Sequence, residues 1–267
     1  MYPTARGNDF NMIRATYHIF GKEIPAYGAL LCLGAAFACL IALLICKRKG
    51  TARWDIAYSA VYTFIGAFLG AKLLFIVVSL PTVIRENIPF INLWTGGFVF
   101  YGGLIGGILG LWLYGKQFKE PIAPIAECYA AVLPLGHAFG RVGCFFGGCC
   151  FGMPHDGWFS HVYEADKVIS ADTPVGIPLL PVQLIEAFFL LCIFAVTLTV
   201  YLKTGKRTGY TVAVYILLYA PLRFVLEFFR YDSARGVLLL STSQWISLAL
   251  LALVGVYLWR KVKATKN

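Results

Sequence analysis

The sequence predicts an all-α membrane protein with seven transmembrane helices, its N-terminus outside and its C-terminus in the cytoplasm. Three observations carry that prediction. The 267 residues are 59% hydrophobic and only 13% charged, outside the range of a soluble globular domain and within that of a polytopic membrane protein. The apolar residues come in runs of the roughly 20 residues that a bilayer crossing needs; stretches such as LLCLGAAFACLIALLIC are apolar throughout, whereas a barrel strand would alternate. The basic residues collect at alternate ends of those runs, as the positive-inside rule requires of cytoplasmic loops.

Each element follows in order. Residues 1–23 are polar, so no cleavable signal is expected, and ATYHIF reads as a short strand or hairpin ahead of the first span. The apolar windows are 24–46, 55–80, 97–114, 122–140, 181–202, 210–229 and 243–259. Glycines in FIGAFLGAK and YGGLIGGILGLWLYG suit spans two and three to close packing through small residues. Lys47, Arg48, Lys49 and Arg53 follow span one; Lys116 and Lys119 follow span three; Lys203, Lys206 and Arg207 follow span five; Arg260, Lys261, Lys263 and Lys266 follow span seven. The net charge of +10 is therefore a topology signal, and nucleic acid is not an expected partner. No repeat or low-complexity tract divides the chain, so residues 1–267 read as one membrane domain. It carries an extracytoplasmic segment at 1–23 and a small head from the outer loop 141–180.

Charged groups inside apolar runs are the informative exceptions, because an Arg, Lys or Asp at mid-bilayer costs about 2.5–3.5 kcal/mol even on the milder scales. Arg223 and Glu227 stand four apart on one helical face, where an ion pair offsets part of that cost. Counting about 1.5 Å per residue from Tyr210 puts Arg223 roughly 20 Å up, toward the outer leaflet. The same counting puts Lys72, Tyr101, Arg141, Gln183 and Glu186 at the outer ends of their spans, with Tyr27 and Gln244 opening spans one and seven. Three cations at one depth suit an anionic ligand, and Arg offers the fork that phosphate oxygens favour. Snorkelling anchors and helix-pairing salt bridges are the competing explanation.

In order and spacing, Tyr27-Gly28, GAK (70–72), YGGLIGG (101–107), GRVG (140–143), PVQLIE (181–186), YAPLRFVLEFFR (219–230) and SQWISL (243–248) resemble the prolipoprotein diacylglyceryl transferase family over essentially the whole chain. The resemblance implies a seven-helix bacterial inner-membrane enzyme, with its active site toward the outer leaflet and no cofactor. Such an enzyme moves the diacylglyceryl group of phosphatidylglycerol to the lipobox cysteine of a prolipoprotein and releases glycerol phosphate. By that likeness Arg141 and Arg223 hold the phosphate, Glu227, Gln183 and Glu186 orient arginines and substrate, and Tyr27, Lys72, Tyr219 and Gln244 line the substrate site.

The chain departs from the family pattern at two places. Tyr101 stands where the family has His before GGLIG, and a tyrosine of pKa about 10 is a poor base at neutral pH. The loop reads GRVGCFFGGCCFG, where the family has GRxGNFxNGExxG. Three readings stay open. His137, four residues before Arg141 and on its face, replaces the imidazole that activates the thiol; or the protein serves a different acceptor or lipid; or it binds lipid without catalysis. Cys32, Cys39, Cys46, Cys128 and Cys192 lie in spans as small apolar residues. Cys144, Cys149 and Cys150 lie outside, where a disulfide from Cys144 to Cys149 or Cys150 is permitted. Zinc held with His155 is the lesser alternative, and no metal is expected.

Overall fold

The computed structural model describes residues 16–19, 22–87, 89–164, 168, 173–231, 236–237 and 240–266. Residues 1–15 of the expected N-terminal segment lie outside them. The expected hairpin is present: β1 (Thr16–Ile19) pairs antiparallel with β2 (Lys22–Pro25). The helices that follow are α1 (Ala26–Ile45), α2 (Arg53–Arg85), the short α3 (Ile91–Thr95), α4 (Phe100–Phe118), α5 (Ile122–Gly147), α6 (Val182–Lys203), α7 (Tyr210–Leu226) and α8 (Thr242–Lys266). Two further two-stranded sheets, β3 (His161–Val162) with β4 (Pro178–Leu179) and β5 (Gly236–Val237) with β6 (Leu240–Ser241), sit in the connections.

The protein is all-α and multi-pass, with six helices long and apolar enough to cross a bilayer: Ala26–Lys49, Arg53–Arg85, Ile122–Gly147, Val182–Lys203, Tyr210–Phe229 and Thr242–Ala264. The expected third span is the nineteen-residue α4, whose glycines and terminal Lys116-Gln117 dilute its apolar character. One boundary shifts more than a turn. The sequence places residues from 141 in a loop, but α5 runs on to Gly147, because AFGRVGCFF contains nothing that stops a helix. The stop comes at Gly148, in the left-handed region at φ 70°. Its N–H donates to the Phe145 carbonyl (3.2 Å) and that of Cys149 to the Cys144 carbonyl (3.1 Å), the paired bonds of a Schellman cap.

Contacts divide the described chain into two units. The second comprises Ala42–Cys128 and Gly205–Thr208. Within it α2 and α4 pack glycine on glycine. A β-carbon at Gly66, Gly70, Gly102, Gly106 or Gly110 would fall on a facing backbone carbonyl at less than van der Waals separation, so the expected small-residue packing is present. One basic residue differs from its expected role. Lys49 is buried, paired with Glu127 at 3.4 Å, with both side chains at most 1% exposed, and its ammonium also donates to the Arg207 carbonyl. A charge counted as a topology marker is here a buried ion pair.

The first unit takes in the hairpin, α1 to Ile41, Tyr129–Thr204 and the residues from Gly209 onward. Ala138, Ala187 and Leu190 form a buried core cluster, with Val142 and Tyr219 packed on it. Beyond α5, the chain from Phe151 to His155 is stitched to the ends of α6 and α7. Gly152 N donates to Leu180 O (3.0 Å), Met153 N to Phe229 O (2.9 Å) and Tyr231 N to Phe151 O (3.2 Å). Phe151, Tyr163, Val168 and Leu179 give this head a small core of its own.

Candidate active site

The site grows from α5, where His137 and Arg141 stand one turn apart and face α6. Arg141 Nε donates to His137 Nε2 at 3.3 Å and pairs with Glu186 Oε2 at 3.1 Å. Accepting at Nε2, His137 carries its proton on Nδ1 and is a neutral ring. The other oxygen of Glu186 accepts from Tyr219 Oη at 3.0 Å. His137 Nε2 is 4.0 Å from that oxygen, beyond hydrogen-bond reach. Glu186 is 1% exposed, so a carboxylate, a guanidinium, an imidazole and a phenol form one buried polar cluster inside apolar helices. The His137 ring meets Tyr219 edge to face, with centroids 5.0 Å apart, and Tyr215 stacks on Tyr219 from the previous turn of α7.

The second cation comes from the end of α7. Arg223 Nη2 lies 2.6 Å from Glu227 Oε2, as the four-residue spacing predicts. A helix that tightens into a 3-10 turn over Glu227–Phe229 also brings Arg230 Nη1 within 3.7 Å of the same oxygen. Arg141 and Arg223 both act electrostatically on His137 and Tyr219, so the two arginines share a neighbourhood. Their donors are not used up. Arg223 Nη1 is buried without a hydrogen-bond partner, and Arg141 spends only Nε on His137 and Glu186 among the described residues. Buried donors normally find acceptors, since an unmade bond costs about 1–3 kcal/mol, more for a charged group.

Other predicted residues have more structural employment than their sequence positions suggest. Gln183, 1% exposed, ties the post-helical loop down, donating from Nε2 to Cys149 O (2.8 Å) and Tyr163 Oη (3.2 Å). Its Oε1 is buried without a partner. Gln244 closes a capping box with Ser241 at the start of α8: Ser241 N donates to its Oε1 (2.9 Å) and Gln244 N to Ser241 Oγ (3.3 Å). Its Nε2 reaches Phe224 O in α7 at 3.3 Å. Tyr27 packs on α5 where Gly143 leaves room; a β-carbon there would stand 3.1 Å from its ring.

Lys72 and Tyr101 belong to the second unit. The Lys72 ammonium is 3.1 Å from the Gly96 carbonyl and about 5 Å above the Phe75 and Phe98 rings, which a desolvated cation finds favourable. Tyr101 meets Phe100 edge to face.

Three groups escaped the sequence reading: Arg230, Tyr215 and Tyr163. Arg230 was legible, seven residues after Arg223 and three after Glu227. Nothing marked Tyr163 in advance. Its hydroxyl is pushed up from the ordinary tyrosine range by burial. The thiols of Cys144, Cys149 and Cys150 are free, and their Sγ atoms lie within 4.8 Å of one another. Hydrogen bonds from the other two sulfurs, with help from Arg230 and Arg141, hold Cys150 below the ordinary thiol range. The loop glycines mostly serve packing and the helix stop: Gly148 caps α5, and a β-carbon at Gly152 would strike Leu180 O.

Comparison with known proteins agrees with this geometry. The family model for prolipoprotein diacylglyceryl transferase matches residues 14–260. Phosphatidylglycerol–prolipoprotein diacylglyceryl transferase 2 of Clostridium perfringens (strain 13 / Type A) is 33% identical over 251 residues, 93% of this chain and 96% of that protein. The transferase of Clostridium tetani (strain Massachusetts / E88) is 31% identical over 91% of this chain and 95% of its own length. That of Dehalococcoides mccartyi is 29% identical over 97% of this chain and 99% of its own. The alternation of apolar helices, the paired buried arginines and this end-to-end match together lead to one conclusion: the chain belongs to the prolipoprotein diacylglyceryl transferase family.

Proposed function

We propose that this protein transfers the diacylglyceryl group of phosphatidylglycerol to the lipobox cysteine of a prolipoprotein. The observation that carries the reading is the set of guanidinium donors left unpaired beside the buried Arg141–Glu186 and Arg223–Glu227 pairs. A phosphodiester supplies the oxygens those donors lack. In the reaction the acceptor sulfur attacks the glyceryl carbon that bears the phosphate ester. A C–S bond forms, the C–O bond breaks, and the electron pair leaves on glycerol phosphate. Arg141 and Arg223 stabilise the charge developing on that leaving group, where fixed donors in a water-poor site are most effective.

The thiol proton goes to His137. Its Nε2 lone pair is held toward Arg141, and a guanidinium drawn onto the phosphate releases it, so binding of the lipid and readiness of the base are coupled. Glu186 and Tyr219 keep Arg141 aimed, Glu227 and Arg230 steady Arg223, and Gln183 and Gln244 hold the loop and the start of α8 around the site.

The topology places this chemistry at the outer leaflet of a bacterial cytoplasmic membrane. With α4 as a seventh crossing, the basic groups after α1, α4, α6 and α8 all fall on the cytoplasmic side. At about 1.5 Å per residue α4 is roughly 28 Å long, close to the hydrocarbon thickness of about 30 Å.

The test is incubation of purified protein with phosphatidylglycerol and a lipobox peptide, read as a diacylglyceryl mass increase on the cysteine. Arg141→Ala and Arg223→Ala should each lower turnover by about 10²–10³-fold, as loss of a donor to a developing anion does. Full activity in either variant overturns the phosphate clamp, and full activity in His137→Ala removes the histidine as base. Tyr101, in place of the family histidine, favours a second reading with a different acceptor. Arginine-dependent binding of phosphatidylglycerol without transfer to the peptide would select it.

A further inference from the structure

Three cysteines that the transfer chemistry does not use form a second cluster, and local geometry accounts for their C-x4-C-C spacing. In a Schellman cap the residue after the left-handed glycine folds back onto the residue two places before the last helical bond, a contact that is usually hydrophobic. Here those two positions are Cys149 and Cys144, whose backbone bond is 3.1 Å. Cys150 then takes φ 60°, a left-handed conformation that costs a residue with a β-carbon about 1–2 kcal/mol. The result is three Sγ atoms mutually within 4.8 Å, Cys144 at 9% exposure and the other two half-buried.

The backbone carrying them is fixed from both sides. Thr173 Oγ1 donates to the Gly148 carbonyl at 2.7 Å and Gln183 Nε2 to the Cys149 carbonyl at 2.8 Å. Sulfurs sharing one ion at about 2.3 Å stand roughly 3.8–4.0 Å apart, so the cluster closes on an ion by contracting at most about 1 Å. A disulfide would use two of the sulfurs and leave the third, with its left-handed backbone, unexplained. Thiolate donors select soft cations of filled d shell, and the charges of Arg141 and Arg230 reach Cys150 to offset part of the negative charge of three thiolates. His155, the fourth ligand considered from sequence, is not part of the group; its ring lies against Gly157.

We propose that Cys144, Cys149 and Cys150 bind one thiophilic d10 cation, Zn²⁺ or Cu⁺, through three thiolates at the cap of α5. Loading releases the thiol protons to solvent. It also locks the loop whose Cys149 carbonyl Gln183 holds, one turn beyond Arg141. The site stands independently of the transferase reading, and its failure would leave that reading unchanged.

The test uses the full-length, reduced protein in detergent, titrated with Co²⁺ as a spectroscopic probe and, without oxygen, with Cu⁺. The expected result is a thiolate-to-cobalt charge-transfer band saturating at one equivalent and displaced by Zn²⁺ or Cu⁺; competition between those two identifies the preferred ion. Intact mass after alkylation should show three fewer modified thiols in the loaded protein than in the chelator-treated one. Even loss of an outer-shell partner costs metal affinity about 10–100-fold, so Cys150→Ser, which keeps the other two thiols, should weaken binding at least about tenfold. Cys192→Ser, in a span, should bind as the parent does. Absence of the band, undiminished binding by Cys144→Ser/Cys149→Ser/Cys150→Ser, or a disulfide among the three that forms in the presence of Zn²⁺ would each overturn the proposal.

Discussion

Glu186→Gln separates charge from shape at the centre of the site. The amide keeps a carbonyl to accept from Tyr219 and nearly the same volume, but it removes the charge 3.1 Å from Arg141 Nε. At an effective dielectric of about 20, two unit charges at that distance attract by roughly 5 kcal/mol, and removing one partner of a buried pair costs about 3–5 kcal/mol, because the remaining charge is stranded. The variant should therefore unfold well below the parent in detergent. Phosphatidylglycerol should restore more stability to it than to the parent, since its phosphate supplies the charge that Glu186 no longer does. The assay is thermal unfolding followed by tryptophan fluorescence, with and without the lipid, on the parent, Glu186→Gln, Arg141→Gln and the double variant. A coupling above about 1 kcal/mol between the two positions is expected for residues in direct contact. Additive effects, together with equal lipid-induced shifts in parent and Glu186→Gln, would refute the idea that Glu186 neutralises a phosphate-seeking arginine.

Glu127→Ala strands the buried Lys49 ammonium and should cost about 3–5 kcal/mol; Lys49→Met added to it should recover much of the loss in the same unfolding assay. Gly106→Leu puts a side chain where even a β-carbon strikes Gly66 O, so the α2–α4 pair should separate, read as loss of a cross-link between cysteines introduced on the two helices. Gly255→Leu, at a position with open space around it, should leave that cross-link intact.

Much of the site was legible because a membrane makes polar residues conspicuous. In an apolar run each charge needs a partner or a task, so Arg141, Glu186, Arg223 and Glu227 declare themselves, and four-residue spacing already pairs Arg223 with Glu227 and aligns His137 with Arg141. Gln244 was just as conspicuous, yet much of its bonding is a helix cap, which SQWISL read as part of a site motif conceals. Lys49 looked like a cytoplasmic marker because a basic cluster does not reveal which member turns inward.

The sequence alone determined the class, the order of the helices and the glycine-mediated pairing, since hydrophobic length and local periodicity are properties of contiguous residues. Tertiary structure alone decided that Glu186 and Tyr219, thirty-three positions apart, hold the same arginine. It alone extended α5 through Arg141 to a glycine stop, and so gathered three sulfurs at one point. Those outcomes depend on which faces of separate helices meet, and on a backbone cap set by a few hydrogen bonds, neither of which residue order specifies by itself.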